Sequence, residues 1–272
     1  MSAFISPLVP GEAPAQQPPA GSDTELNGNA VVTDSDANAD NPVSVFTDDS
    51  VDIAAGTPGV DIKLDGTPDS TIEIGTAVDS NDNPLDGQGT SYQVEDDYEG
   101  TVNANLEDAI VDPDGTKVDL ETDTGNGTTI ADNAPEDAGP FDFYVNSGQG
   151  DDDIVGSDGD DFVRLGAGND KFDTGEGNDL VRLGTGDDEG FLGAGNDKVY
   201  LTLDQLQEEG TKILKDFDSD GDDKIQIESG LEVNIEGQGS NTITITLGSN
   251  PGVVTTITSE GETIDNDDIE FV

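Results

Sequence analysis

The sequence predicts an all-β protein. It combines a parallel coil of nonapeptide repeats with a C-terminal β-rich flank and an acidic N-terminal half that is largely disordered or loosely β. Three observations carry this prediction. Between Ser147 and Tyr200 the chain repeats every nine residues, six times without a gap, as SGQGDDDIV, GSDGDDFVR, LGAGNDKFD, TGEGNDLVR, LGTGDDEGF and LGAGNDKVY. A fixed short period is the mark of stacked structural units. After the repeats, apolar residues alternate with polar ones between Gly- and Asn-rich turns, which is the pattern of half-buried strands. Finally, aromatic residues make up only 5% of the chain and Trp is absent, so a large globular core is not expected.

Taken in chain order, residues 1–45 are rich in Pro, Ala, Gly and Asp. Such a segment buries too little apolar surface to offset its ordering entropy and is expected to be disordered. Residues 46–140 contain the short alternating pieces Val51–Ile53, Val60–Leu64, Thr71–Ile74 and Lys117–Leu120, separated by Asp-Gly turns. They read either as loosely ordered strands or as disorder. Residues 141–202 form the coil, and the apolar Phe141–Val145 directly before the repeats is expected to cap its first turn, since terminal units of repeat proteins need covers. Residues 203–272 form the flank. Leu201–Gln207 reads as strand-like and then one helical turn, and after it Ile225–Ile227, Val233–Ile235, Thr242–Leu247 and Val253–Ile257 read as strands, with hairpin turns at Gly237–Ser240 and Gly248–Gly252.

Within each unit the eighth place is apolar: Ile154, Val163, Phe172, Val181 and Val199, with Gly190 as the exception. A strand of about three residues turns that side chain inward, and stacked coils bury it as a continuous ladder. Consecutive strands fall on opposite walls, so two units make one turn of a flattened right-handed coil. Glycines let the connections reverse sharply through positive φ. Gly190 is expected to soften the coil, with Phe191 turning inward in its place. Ser, Thr and Leu at the first place of five units, and Ser157 in the second unit, depart from the glycine pattern.

The sixth place is aspartate in all six units: Asp152, Asp161, Asp170, Asp179, Asp188 and Asp197. Units two apart lie on the same edge, which brings these carboxylates together in rows. Carboxylates and free turn carbonyls are hard oxygen donors. Calcium accepts about 6–8 of them, whereas magnesium holds its waters and demands a stricter geometry. Cys and His are absent, which leaves no soft or borderline metal site. The six aspartates are therefore the candidate calcium ligands. Four same-edge pairs give about four full sites, with partial ones at the ends. Apposed aspartates repel without the ion, so binding and folding are expected to be one event.

Charge and composition exclude several functions. The chain has 62 acidic against 9 basic residues, a formal net charge of −53. It repels nucleic acid and anionic membrane surfaces. No apolar run is long enough to span a membrane, so neither a nucleic-acid partner nor membrane insertion is expected. Without His, Cys or a GxSxG elbow, no catalytic constellation is apparent, and the chain reads as a non-enzyme. So many acids leave a carboxylate pair, as in glycosidases, open as a hydrolytic arrangement. Asp216, Asp218, Asp220 and Gly221 match the opening of an EF-hand loop, but Ile227 stands at the place of the closing Glu.

These repeats resemble those of the RTX (repeats-in-toxin, hemolysin-type calcium-binding) family. The resemblance extends to Lys212–Asp218 and Asp222–Ile227, similar to the stretch that follows the repeats in many such proteins. It implies a parallel β-roll, extracellular calcium binding and export by a type I secretion apparatus. The N-terminus lacks the pattern of an ordinary secretory signal peptide. The acidic-then-apolar end, Asp265–Val272, is similar to an uncleaved C-terminal export signal and also reads as a last strand. The function expected is that of a secreted, calcium-folded, non-catalytic protein of the cell surface or matrix, with a surface component as partner or adhesion as its role. Alternatives are a self-associating filament or sheath bridged by calcium, and a secreted enzyme that uses the roll for export and folding.

Overall fold

A computed structural model of the chain describes residues 4–7, 25–26, 30–33, 43–45, 52–53, 61–65, 71–75, 89–94, 99–111, 117–118, 134–135, 138–218 and 222–272. Most of the opening segment expected to be disordered, and all of 119–133, lie outside these residues. Among the described residues the chain forms two long sheets of ten strands each and one short two-stranded pair, with a one-turn α-helix at Leu203–Leu206 and a one-turn 3-10 helix at Asn266–Asp268.

The repeats build the middle of both sheets. Their strands alternate between walls. Asp161–Arg164, Leu180–Arg182 and Lys198–Leu201 stack parallel in one sheet, and Asp153–Val155, Lys171–Asp173 and Asp188–Phe191 in the other. The register steps by two units: Ile154 faces Phe172, and Phe162 faces Leu180. This is the all-β parallel roll. Eighth-place Ile154, Val163, Phe172, Val181 and Val199 are all buried between the walls. The unexpected filling comes from the first place. Leu165, Leu183 and Leu192, which depart from the glycine pattern, are fully buried in the same core.

The coil continues beyond the repeats in both directions. Before them, Asp61–Asp65, Thr71–Gly75, Thr90–Val94 and Thr101–Asn105 join the two sheets in parallel register. After them, Gly210–Leu214 and Lys224–Ile227 add a further strand to each sheet, and Ile269–Phe271 pairs parallel with Lys224–Ile227. The flank strands Val233–Glu236, Thr242–Leu247 and Asn250–Ser259 form an antiparallel meander docked on Gly210–Leu214.

Two expectations need correction. Phe141–Val145 does not cap the coil, because Phe143–Asn146 has a parallel strand on each side, Thr90–Val94 and Asp161–Arg164. Its aromatic character serves a second apolar patch on the outer wall, where Phe141, Tyr144, Phe162, Leu180 and Tyr200 pack together. Nor does Phe191 turn inward; it is 48% exposed. Phe172, one coil away, fills the space beside Gly190. A Cβ on Gly190 would lie 2.1 Å from the Phe172 carbonyl oxygen and 2.5 Å from its ring. Restoring the apolar pattern with Gly190→Val should therefore destabilise the coil, by about 1–3 kcal/mol as overpacking does. A thermal midpoint lowered in excess calcium is the expected result.

Candidate calcium site

The turns place the six aspartates in two rows, one along each edge of the coil. All six are buried. One row holds Asp152, Asp170 and Asp188, and the other Asp161, Asp179 and Asp197. Four of the carboxylates anchor themselves the same way, with Oδ1 accepting the backbone N–H of the aspartate 18 residues earlier. Asp170 takes the amide of Asp152 at 2.9 Å, Asp188 that of Asp170 at 3.1 Å, Asp179 that of Asp161 at 2.7 Å and Asp197 that of Asp179 at 2.8 Å. Asp152 starts its row by accepting the Val102 amide at 2.7 Å.

The fifth places form a complementary ladder on the surface. There the side-chain oxygen accepts from the following coil. Asp151 receives Asn169 N–H, Asn169 receives Asp187 N–H, and Asp160 receives Asn178 N–H. This explains why the fifth place is always Asn or Asp: either one offers the required oxygen.

The second oxygens distinguish the members of the rows. Oδ2 of Asp152, Asp170, Asp179 and Asp197 is sealed from solvent and accepts no hydrogen bond. A buried carboxylate oxygen without a donor is costly, and such an atom is the mark of a cation or a proton. The other two are satisfied within the chain. Asp161 accepts both the amide and the hydroxyl of Ser157, at 2.6 and 2.9 Å, so the serine that breaks the glycine pattern completes this carboxylate. Asp188 Oδ2 accepts Lys212 Nζ at 2.5 Å.

Sequence reasoning missed one member. Asp223 Oδ1 accepts the Asp197 amide at 3.0 Å, extending the second row by one carboxylate. Its signal was the stretch Asp222-Asp223-Lys224-Ile225, which repeats Asn196-Asp197-Lys198-Val199 beyond an interruption. Asp218, in the segment that resembled an EF-hand, donates its amide to Asp223 Oδ2. The elements on either side of it are the strands Gly210–Leu214 and Lys224–Ile227, so no helix–loop–helix is present among the described residues.

Burial raises every one of these carboxylates above the ordinary range. Asp152 is pushed up to about 7 and Asp197 to about 7, chiefly by loss of water. Asp170 reaches about 9, because the charges of Asp188 and Asp152 add to burial. Asp188 rises only to about 6, since the Lys212 ammonium opposes the effect of burial. Asp161 and Asp179 face one another and are both raised, mainly by burial. The rise reflects a stack of buried carboxylates with too little positive charge to balance it. Oxygen-only donors, closely stacked turns and sealed Oδ2 atoms fit calcium.

Comparison with known proteins agrees. Residues 146–181 and 166–199 match the RTX calcium-binding nonapeptide repeat family, whose repeats bind calcium. The matched residues cover the repeats and none of the flanks. No curated protein matches the chain.

Proposed function

We propose, from the premise that this chain carries RTX calcium-binding nonapeptide repeats, that it is a secreted protein whose coil folds on extracellular calcium and serves a non-catalytic surface, matrix or adhesion role. The observation that supports this most is the set of four sealed Oδ2 atoms in two rows. They are an internal demand for positive charge that the chain's 9 basic residues do not meet. Calcium when bound supplies that charge; Asp152, Asp170, Asp179 and Asp197 would hold it, and the glycine turns bring the coils close enough to do so.

The role follows from where such ions are available. Extracellular calcium modules bind with Kd values of roughly 10⁻⁴–10⁻³ M. At cytosolic calcium the rows repel, and the chain stays open for a type I exporter; outside, binding closes the coil and opposes return. Among the described residues no helix is long and apolar enough to cross a membrane.

Two measurements test the reading. Asp179→Asn removes one row carboxylate, and the calcium concentration at half-folding should rise about tenfold, the loss of one charge-assisted contact. Asp153→Asn, at an exposed position in the neighbouring strand, should leave it unchanged. An equal response from both variants would remove the assignment. Appearance of the protein in culture medium, dependent on a co-expressed type I exporter, tests the export half, and retention in the cell would sink it.

A further inference from the structure

Both rows reach past the repeats, and they end differently. On one edge Asp197 is followed by Asp223, so the row closes on another carboxylate. On the other edge the residue in register with Asp188 is Lys212. The lysine thus occupies the place in its coil that aspartate holds in every repeat.

Its side chain is 2% exposed, and it is the one lysine buried to this degree among the described residues. Sinking an ammonium costs several kcal/mol unless its protons are all taken. Here all three have acceptors. Nζ donates to Gly184 O at 3.0 Å, to Gly186 O at 2.8 Å and to Asp188 Oδ2 at 2.5 Å. An ammonium has three donors, so the set is complete. All three acceptors come from one turn, at the second, fourth and sixth places of the fifth unit. The same places are Gly148, Gly150 and Asp152 in the first unit and Gly166, Gly168 and Asp170 in the third. In those lower turns of the row Oδ2 has no partner at all.

We infer that the Lys212 ammonium is a built-in cation that takes the last position of this row in place of a calcium ion. The inference rests on the calcium reading of the rows. The two edges are then unequal. The row through Asp188 ends on a covalently attached charge and binds one ion fewer, while the row through Asp197 and Asp223 takes calcium to its end. The tethered charge also joins the C-terminal strand Gly210–Leu214 to the fifth unit once the coil forms, so this end of the row needs no ion of its own.

The test counts ions in the full chain. Bound calcium is measured by equilibrium dialysis at saturation, with strand circular dichroism in parallel, for wild type, Lys212→Asp and Lys212→Met. Lys212→Asp continues the carboxylate row and is expected to bind one more calcium ion per chain than wild type. A folded Lys212→Asp with the wild-type count overturns the inference, because a lost structural ion pair adds no site. Should Lys212→Asp fail to reach the wild-type strand signal, Lys212→Met decides. Its calcium midpoint is expected to rise about tenfold, since the buried Asp188 loses its charge partner, and an unchanged midpoint overturns the inference. A wild type that binds no calcium removes the functional reading itself, whereas wild-type binding with unaltered variants removes only the role of Lys212.

Discussion

In calcium-free buffer at pH 8 the coil is expected to lose its strand signal, and lowering the pH to 5 is expected to restore part of it without any metal. The row aspartates are raised in the folded state, Asp152 and Asp197 to about 7 and Asp170 to about 9. An unfolded aspartate titrates near 3.9. Between these values the folded chain holds more protons than the unfolded one, so stability falls as pH rises, by up to about 1.4 kcal/mol per pH unit for each such aspartate. The window opens near pH 4 and closes near pH 9. Acid and calcium are thus two ways of neutralising the same buried oxygens. With saturating calcium the dependence should reverse at low pH, because protons then compete with the ion. Circular dichroism against pH, with EDTA and with millimolar calcium, gives both curves. A full strand signal in EDTA at pH 8 would contradict the expectation, as would a metal-free coil that weakens between pH 8 and 5.

The second large effect is steric. Gly184 has φ +81, and a Cβ there would stand 1.6 Å from the Gly166 carbonyl oxygen in the coil below. No side-chain rearrangement relieves this, because both partners are backbone. Gly184→Ala should therefore force the third and fifth units apart. It combines a left-handed backbone penalty with a backbone collision, for a cost of about 4 kcal/mol. It also displaces an acceptor of Lys212, since Gly184 O is one of its three oxygens. Gly252→Ala is the matched control, with nothing within 4 Å of the added carbon, and should change stability by less than about 0.5 kcal/mol. Chemical unfolding in excess calcium measures both, and equal stabilities would show that the coils are not stacked this closely.

These two experiments probe what the repeat itself encodes. Its nine-residue period sets strand and turn lengths, and aspartate at every sixth place sets the rows. Pairing of units two apart follows from the alternation of walls, and the structure shows it directly in hydrogen bonds between residues 18 apart. Oxygen-only chemistry followed from the absence of Cys and His, which needs no structure at all.

What lay beyond the sequence concerns neighbours that the period does not reach. Asp188 meets Lys212 across 24 residues and Asp197 meets Asp223 across 26, because insertions break the register after Tyr200. A reading by nines stops there, although both strands continue the coil. Within the repeats, contacts between coils settled the departures from pattern. Ser157 completes Asp161, Leu165, Leu183 and Leu192 fill the core, and Gly190 leaves room for Phe172. Each looked like a defect in the isolated unit. Phe141–Val145 looked like an end because the sequence before it carries no repeat, yet parallel strands flank Phe143–Asn146 on both sides. The repeat unit, its ligand chemistry and the two rows are readable in the residues alone, since these depend on residues within one short turn. Which oxygens are left without a partner, and what closes each row, emerges from the folded stack, because burial and partnership belong to the stack and not to the unit.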